Sequence, residues 1–152
     1  MRTELILGGA RSGKSRYALD QALAHVGPVA WLATAEARDE EMRKRIVRHQ
    51  AERPAHWSTT EAPLQLADAL AANQDRFVVV DCLTLWLSNL LHDAQGAPQP
   101  LSHIEPQLDA LEQTLINAEG RILIVSNEVG LGIIPLGELT RRFVDEAGRL
   151  NQ

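Results

Sequence analysis

The stretch Gly8-Gly9-Ala10-Arg11-Ser12-Gly13-Lys14-Ser15 decides the fold of this chain. It fits the pattern G-x-x-x-x-G-K-[ST] of a phosphate-binding loop (P-loop) between a strand and a helix. The glycines let the turn expose consecutive backbone N–H groups, and a helix that begins near Lys14 adds the positive end of its dipole. Lys14 can then reach the β- and γ-phosphates, and the Ser15 hydroxyl can bind Mg²⁺. We therefore expect a nucleotide site, and the alternative is a glycine-rich turn without a ligand.

In addition to the Ser15 hydroxyl, a carboxylate at the end of a neighbouring strand is needed to hold the metal ion of such a site. The run Phe77-Val78-Val79-Val80-Asp81 supplies it, because four apolar residues end in an acid. That position is the carboxyl edge of the predicted sheet, where α/β folds bind ligands. Asp81 is therefore the expected Mg²⁺ partner of Ser15. The alternative is an N-cap for the helix that begins near Leu83, since aspartate is a favoured capping residue.

Outside these two motifs, short apolar runs alternate with longer amphipathic stretches, which is typical of βαβ units and a mostly parallel sheet. The predicted strands are Glu4–Leu7, Val29–Ala33, Phe77–Asp81 and Arg121–Ser126. The predicted helices are Lys14–Ala24, Glu36–Glu52, Pro63–Ala72, Leu83–His92, Ile104–Ala118 and Glu138–Leu150. The expected fold class is α/β of the P-loop NTPase type, with helices on both faces of the sheet. A single domain over residues 1–152 accounts for the pattern.

The composition excludes several function classes. With 152 residues, 45% apolar and 23% charged, the chain resembles an ordinary globular domain. The single Cys82 excludes an internal disulfide and a cysteine-pair zinc site. A net charge of −5 argues against a nucleic-acid partner. Residues 1–7 lack the layout of a signal peptide and residues 77–91 are too short to span a bilayer, so we expect a cytoplasmic protein without membrane insertion.

The segment 34–54 contains a second candidate functional site, a histidine among basic residues. Thr34 is expected to cap a helix and Pro54 to end it. Along that helix Met42, Ile46 and His49 fall at steps of four and three, so the imidazole is expected to face the body of the protein and not the solvent. The bases between positions 43 and 53 outnumber the acids: Arg43, Lys44, Arg45, Arg48 and Arg53 against Glu52. A neutral imidazole in a cationic pocket can attack phosphorus, and the alternative is a structural histidine at the edge of the core.

The end of the last predicted strand limits the kind of P-loop protein. A guanine-specific GTPase would carry Asn-Lys-x-Asp there, whereas this chain has Asn127-Glu128-Val129-Gly130. A small-molecule kinase stays open, because phosphoryl transfer needs little beyond the phosphate loop, the metal and a cation. Arg11 is either that cation or a solvated loop residue. The loop 127–135 is either a substrate lid or a tight strand-to-helix turn.

Six ordered motifs together resemble the bifunctional adenosylcobinamide kinase/adenosylcobinamide-phosphate guanylyltransferase family. The resemblance spans nearly the whole chain, and the P-loop alone would be generic. The motifs are Gly8–Ser15, Arg45-Ile46-x-x-His49-x-x-x-Arg53, Trp57-x-Thr59-x-Glu61, Asp81-Cys82-Leu83-Thr84-Leu85-Trp86-Leu87-x-Asn89-Leu90-Leu91, Ser126-Asn127-Glu128-Val129-Gly130-x-Gly132-Ile133-x-Pro135 and Arg142-Phe143-x-Asp145-x-x-Gly148-Arg149-x-Asn151-Gln152.

The resemblance implies a RecA-like sheet and two reactions of cobalamin biosynthesis. ATP or GTP would phosphorylate the aminopropanol hydroxyl of adenosylcobinamide, and GMP from GTP would then pass to adenosylcobinamide phosphate with release of pyrophosphate. The guanylyl group would ride on His49. Ser15 and Asp81 would hold Mg²⁺. The implied GTP contacts are Gly8, Gly9, Ala10, Arg11, Ser12, Gly13, Lys14, Ser15, Thr34, Ala35, Glu36, Gln50, Ala51, Glu52, Arg53, Glu61 and Asp81.

The same resemblance implies a homotrimer. It also implies a sheet that lacks its C-terminal strand within residues 1–152, since proteins of this pattern continue past Asn151-Gln152. Two other readings stay open. A monofunctional P-loop kinase for another small alcohol would not need His49, and a non-catalytic GTP-binding module would bind the nucleotide without turnover.

Overall fold

Strands and helices alternate along the computed structural model, which describes residues 2–9, 12–36, 39–128 and 138–152. In this part of the chain the strands are β1 (Arg2–Gly8), β2 (Val29–Ala33), β3 (Ser58–Glu61), β4 (Phe77–Asp81) and β5 (Arg121–Asn127). The helices are α1 (Lys14–Ala24), α2 (Glu40–Ala51), α3 (Leu66–Ala71), α4 (Leu83–Leu91), α5 (Leu101–Ile116) and α6 (Glu138–Asn151).

The strands form one parallel sheet in the order β1-β5-β4-β2-β3. The predicted α/β class with a parallel sheet is therefore confirmed. Register places Ala33 of β2 beside Asp81 of β4 on one side and beside Glu61 of β3 on the other. Because all strands run the same way, the ends of β1, β2, β3 and β4 meet at one edge, and the P-loop leaves β1 at that edge.

Two apolar layers cover the two faces of the sheet. On one face, α1 packs against alternate residues of the central strands, among them Trp31, Phe77, Val79 and Leu123. On the other face, α3, α4, α5 and α6 contribute to a larger cluster that includes Leu32, Val78, Val80 and Ile122. The central strands are buried on both faces, as their uninterrupted apolar runs predicted.

Most predicted elements are confirmed, and two differences lie next to the site. Strand β3 was not predicted, because its sequence Ser-Thr-Thr-Glu has no apolar run and it pairs only with β2 at an edge. Helix α2 begins at Glu40 and not at Glu36. Its N-cap is Asp39, whose carboxylate accepts a hydrogen bond from the Met42 N–H at 2.7 Å, so the prediction of Thr34 as the cap was wrong.

None of the described helices is long and apolar enough to cross a membrane. Strand β1 lies at one edge of the described sheet, and its Leu5 and Leu7 side chains are 37% and 45% exposed. The expectation of a further C-terminal strand stays a prediction.

Candidate active site

The P-loop joins β1 to α1 and is shaped for an anion. Gly13 caps α1 in the left-handed region at φ 91°, a conformation that glycine adopts without a Cβ clash. Neither a capping side chain nor an acidic residue in the first turn competes for the N–H groups of this helix end. The Lys14 ammonium donates to the Gly9 carbonyl and to the Ser12 hydroxyl, which keeps it folded over the loop. Ala10 and Arg11 lie outside the described residues.

Asp81 lies beside the P-loop at the end of β4. The Ser15 hydroxyl donates to its carboxylate at 3.5 Å. Burial raises the pKa of Asp81, and electrostatic interactions with His49, Arg53 and Lys14 together with the hydrogen bond from Ser15 lower it in part. The alternative role as a helix cap was wrong, because the N-cap of α4 is Cys82 and no side chain caps it.

The Ser15 and Asp81 oxygens suit a magnesium ion that shares its other ligands with a bound nucleotide. Mg²⁺ prefers oxygen ligands and is usually held by one or two carboxylates together with substrate phosphates and water. Among the described residues no three His, Cys, Asp or Glu side chains form a metal cluster. The donor set therefore fits a nucleotide-linked ion better than an all-protein metal cage.

Thr34 fixes the backbone next to Asp81. Its side chain is fully buried, its hydroxyl accepts from the Cys82 N–H at 2.9 Å, and it donates to the Cys82 carbonyl at 2.7 Å. The buried Asn89 amide donates to the Thr34 carbonyl at 2.8 Å and to the Pro63 carbonyl at 3.1 Å. Thr34 thus ties the end of β2 to the β4–α4 junction, while its expected contact with GTP stays a prediction.

His49 projects from α2 toward this edge of the sheet. It lines two neighbouring cavities of about 270 and 260 Å³, and Ser15 and Arg53 line both of them as well. The prediction that the imidazole faces the protein body is confirmed by this position. The prediction that it avoids solvent was wrong, because the side chain is exposed and α2 buries none of its residues.

The candidate site has less unpaired positive charge around it than the sequence suggested. Arg43 and Arg45 form exposed ion pairs within α2 with Glu40 and Glu41, at 3.7 and 3.6 Å. These pairs partly offset the positive charge of Arg43 and Arg45. Arg53 interacts electrostatically with Asp81, and its guanidinium carbon lies 4.9 Å from the centre of the Trp31 ring.

The cavity of about 260 Å³ is a candidate nucleoside site, with mainly apolar walls and a carboxylate from Glu61. Its lining is Ser15, Ala33, Ala35, Met42, Arg45, Ile46, His49, Gln50, Arg53, Glu61, Asp81, Cys82 and Leu85. Glu52 lines the other cavity with Arg16, Leu19 and Trp31. Glu36 follows β2 and is half-buried, and Ala51 is exposed at the end of α2.

Sequence reasoning missed several lining residues. They are Trp31 of β2, Met42 of α2, and Cys82 and Leu85 at the start of α4, and none of them was named as a ligand contact. For Cys82 and Leu85 the available signal was their position just after β4, since ligands of parallel sheets bind at the carboxyl edge.

Similarity to known proteins shows the family of the chain. A family model described as cobinamide kinase / cobinamide phosphate guanyltransferase matches residues 4–152. The chain is 53% identical over 151 residues to the bifunctional adenosylcobalamin biosynthesis protein CobP of Pseudomonas aeruginosa, covering 98% of this chain and 84% of that protein. It is 39% identical over 158 residues to the protein CobU of Escherichia coli and 40% over 159 residues to CobU of Salmonella typhimurium, both also described as bifunctional adenosylcobalamin biosynthesis proteins. Each of these two alignments covers 97% of this chain and 87% of the relative. The chain belongs to the cobinamide kinase/cobinamide phosphate guanyltransferase family.

Proposed function

We propose that this chain phosphorylates adenosylcobinamide with ATP or GTP and then transfers GMP from GTP to adenosylcobinamide phosphate. Membership of the family supports the pair of reactions. The observation that carries the proposal is the position of His49, which shares two cavities with Ser15 of the P-loop. A nucleophile therefore stands beside a phosphate-binding loop.

Guanylyl transfer runs through two displacements at the α-phosphorus of GTP. The neutral imidazole of His49 attacks this atom, an N–P bond forms, and the bond to the bridging oxygen breaks as pyrophosphate leaves. A phosphate oxygen of adenosylcobinamide phosphate then attacks the same phosphorus, and the N–P bond breaks to regenerate His49. The imidazole gains positive charge while it carries the guanylyl group, and the adjacent Asp81 carboxylate stabilises that charge.

The cations near the P-loop stabilise the leaving group. Lys14 lies in the P-loop, and Arg53 lines two cavities together with Ser15, so both cations are placed on the side of the site where the phosphates would bind. Fixed positive charge of this kind lowers the barrier because it needs no reorganisation during the reaction. When bound by Ser15 and Asp81, Mg²⁺ would supply further charge neutralisation on the phosphates.

Glu61 is the proposed reader of the base. Glu61 lines the same cavity as His49. The walls of this cavity include the apolar side chains of Ala33, Ile46 and Leu85. A carboxylate accepts hydrogen bonds from the N1–H and amino group of guanine, whereas adenine presents an acceptor at N1. The guanylyl-transfer step is therefore expected to select GTP over ATP.

A turnover assay on the two corrinoid substrates tests the function. The unaltered protein should phosphorylate adenosylcobinamide, and with GTP it should convert the phosphate to adenosylcobinamide-GDP and pyrophosphate. His49→Ala should lose the second reaction and keep the first. His56→Ala, which alters an exposed histidine seven residues away, is the matched control and should keep both.

Two outcomes of the assay would select other functions. Phosphorylation by the unaltered protein without any guanylyl transfer would identify a monofunctional kinase. Binding of GTP without turnover of either corrinoid would identify a nucleotide-binding module. The resemblance that supports the two reactions also supports a homotrimer, and the single cysteine fits the expected cytoplasmic location.

A further inference from the structure

Arg53 lies at the proposed transfer site, and one nitrogen of its guanidinium, Nη1, is buried without a hydrogen-bond partner among the described residues. Within the same residues, no carboxylate lies within the 4.0 Å of an ion pair with its guanidinium. Asp81 and Glu52 attract the guanidinium only at longer range, so a further contact is needed to fix the position of this long side chain.

The indole of Trp31 supplies that support. The guanidinium carbon of Arg53 lies 4.9 Å from the centre of the Trp31 ring. This is within the range of a cation–π interaction, which is favourable for a planar guanidinium over an indole face. An aromatic face holds the cation without neutralising it, so the charge stays available for phosphate oxygens.

Trp31 is itself held rigidly. It lies in β2 between β3 and β4, and only 3% of its surface is exposed. Trp57 stacks parallel to it, with ring centres 6.2 Å apart and planes 8° apart. The Trp31 Nε1 atom has no hydrogen-bond partner among the described residues, so the indole acts here through its face. The backbone N–H of Trp57 donates to the Pro54 carbonyl at 3.1 Å, and this turn brings the segment after Arg53 back toward Trp31.

We infer that Trp31 is a positioning residue for guanylyl transfer, which acts by holding the Arg53 guanidinium beside His49 and Ser15. The inference rests on the proposed function. Arg53, His49 and Ser15 line the same two cavities, and Trp31 forms part of the wall of one of them. Trp31 therefore sets where the cation stands when pyrophosphate leaves, although it does not itself touch the reacting atoms.

The first test is the single-turnover rate of guanylylation by GTP. Trp31→Leu should slow this rate by about 3- to 30-fold at saturating GTP, the range expected for loss of a partly desolvated cation–π contact. Trp31→Phe keeps an aromatic face and should stay within about 3-fold of the unaltered protein. A rate for Trp31→Leu equal to that of the unaltered protein would overturn the inference.

A second measurement separates positioning from a purely structural role. In an Arg53→Met background, Trp31→Leu should cause no further loss, because the group that Trp31 holds is gone. Equal losses in both backgrounds would show that Trp31 acts only through packing and would contradict the inference. This comparison is a double-mutant cycle.

A third test replaces every tryptophan in the chain with fluorinated tryptophan, which preserves the shape of the core. Fluorine weakens the negative potential on the face of the indole ring. The replacement should therefore slow guanylylation in the protein that has Arg53 and should not slow it in Arg53→Met. Equal rates with and without fluorine in the presence of Arg53 would overturn the inference alone. Failure of the unaltered protein to form any guanylyl adduct would overturn both the inference and the proposed function.

Discussion

At the scale of single residues, Asp81 shows a conflict between stability and function. Burial raises its pKa, so the folded protein binds the proton more tightly than the unfolded chain does. The stability linked to this group is fully present below the unfolded pKa and is lost as the pH rises through the folded pKa. At neutral pH the ionised carboxylate therefore destabilises the unliganded protein.

Asp81→Asn should raise the unfolding temperature at neutral pH while it lowers turnover by roughly 100-fold or more, because the site loses the charge proposed to hold Mg²⁺ and to stabilise guanylylated His49. Thermal unfolding followed from about pH 8 down to about pH 4 should show the stability gain shrinking as Asp81 of the unaltered protein becomes protonated. A variant that is less stable than the unaltered protein at neutral pH would contradict this account.

Glu61 offers a prediction about base selection. Glu61→Gln should reduce the preference for GTP over ATP in protein labelling by roughly 10- to 100-fold, since one charged acceptor is lost and the amide can also donate. Competition between the two labelled nucleotides measures this ratio directly. Unchanged selectivity in Glu61→Gln would place the reader of the base elsewhere.

At the scale of elements, Thr34 joins two strand ends that the site needs in register. Thr34→Val removes the hydroxyl that both donates to and accepts from the Cys82 backbone. Loss of such buried hydrogen bonds should lower the free energy of unfolding by about 1–3 kcal/mol. Thr59→Val, in exposed β3, is the matched control and should change it by less than about 0.5 kcal/mol. Denaturant unfolding measures both, and equal effects of the two substitutions would refute the role given to Thr34.

Thr34 also shows why some element boundaries were not predictable. Thr34 followed by Glu36, and Asp39 followed by Glu40 and Glu41, both look like helix starts. The choice between them depends on the hydrogen bonds of Thr34 to Cys82, a residue 48 positions away. By contrast, α1 and β4 follow from local patterns, a glycine loop before a helix and an apolar run that ends in an acid.

Some residues of the candidate site were likewise predictable from local sequence patterns, and others were not. Gly13, Lys14, Ser15 and Asp81 belong to contiguous motifs, and their association follows from the geometry of a parallel sheet. The pairing of Trp31 with Arg53 joins a strand to the end of a helix, and no periodicity in either segment indicates it. Contacts of this kind are set by tertiary packing.

At the scale of the whole molecule, the single parallel sheet collects the ends of β1 to β4 and α2 at one edge. We propose that three copies of the chain assemble into a homotrimer. Analytical ultracentrifugation should give a mass three times the 16.8 kDa of one chain. A mass equal to one or two chains at micromolar concentration would contradict the trimer.

The central claim is that His49 carries the guanylyl group. GTP labelled at the α-phosphorus, incubated with the protein and Mg²⁺ and then removed, tests it most directly. We expect an acid-labile label on the unaltered chain, located at His49 by peptide mass spectrometry and absent from His49→Ala. Label that survives in His49→Ala to the same extent would show that another residue carries the guanylyl group.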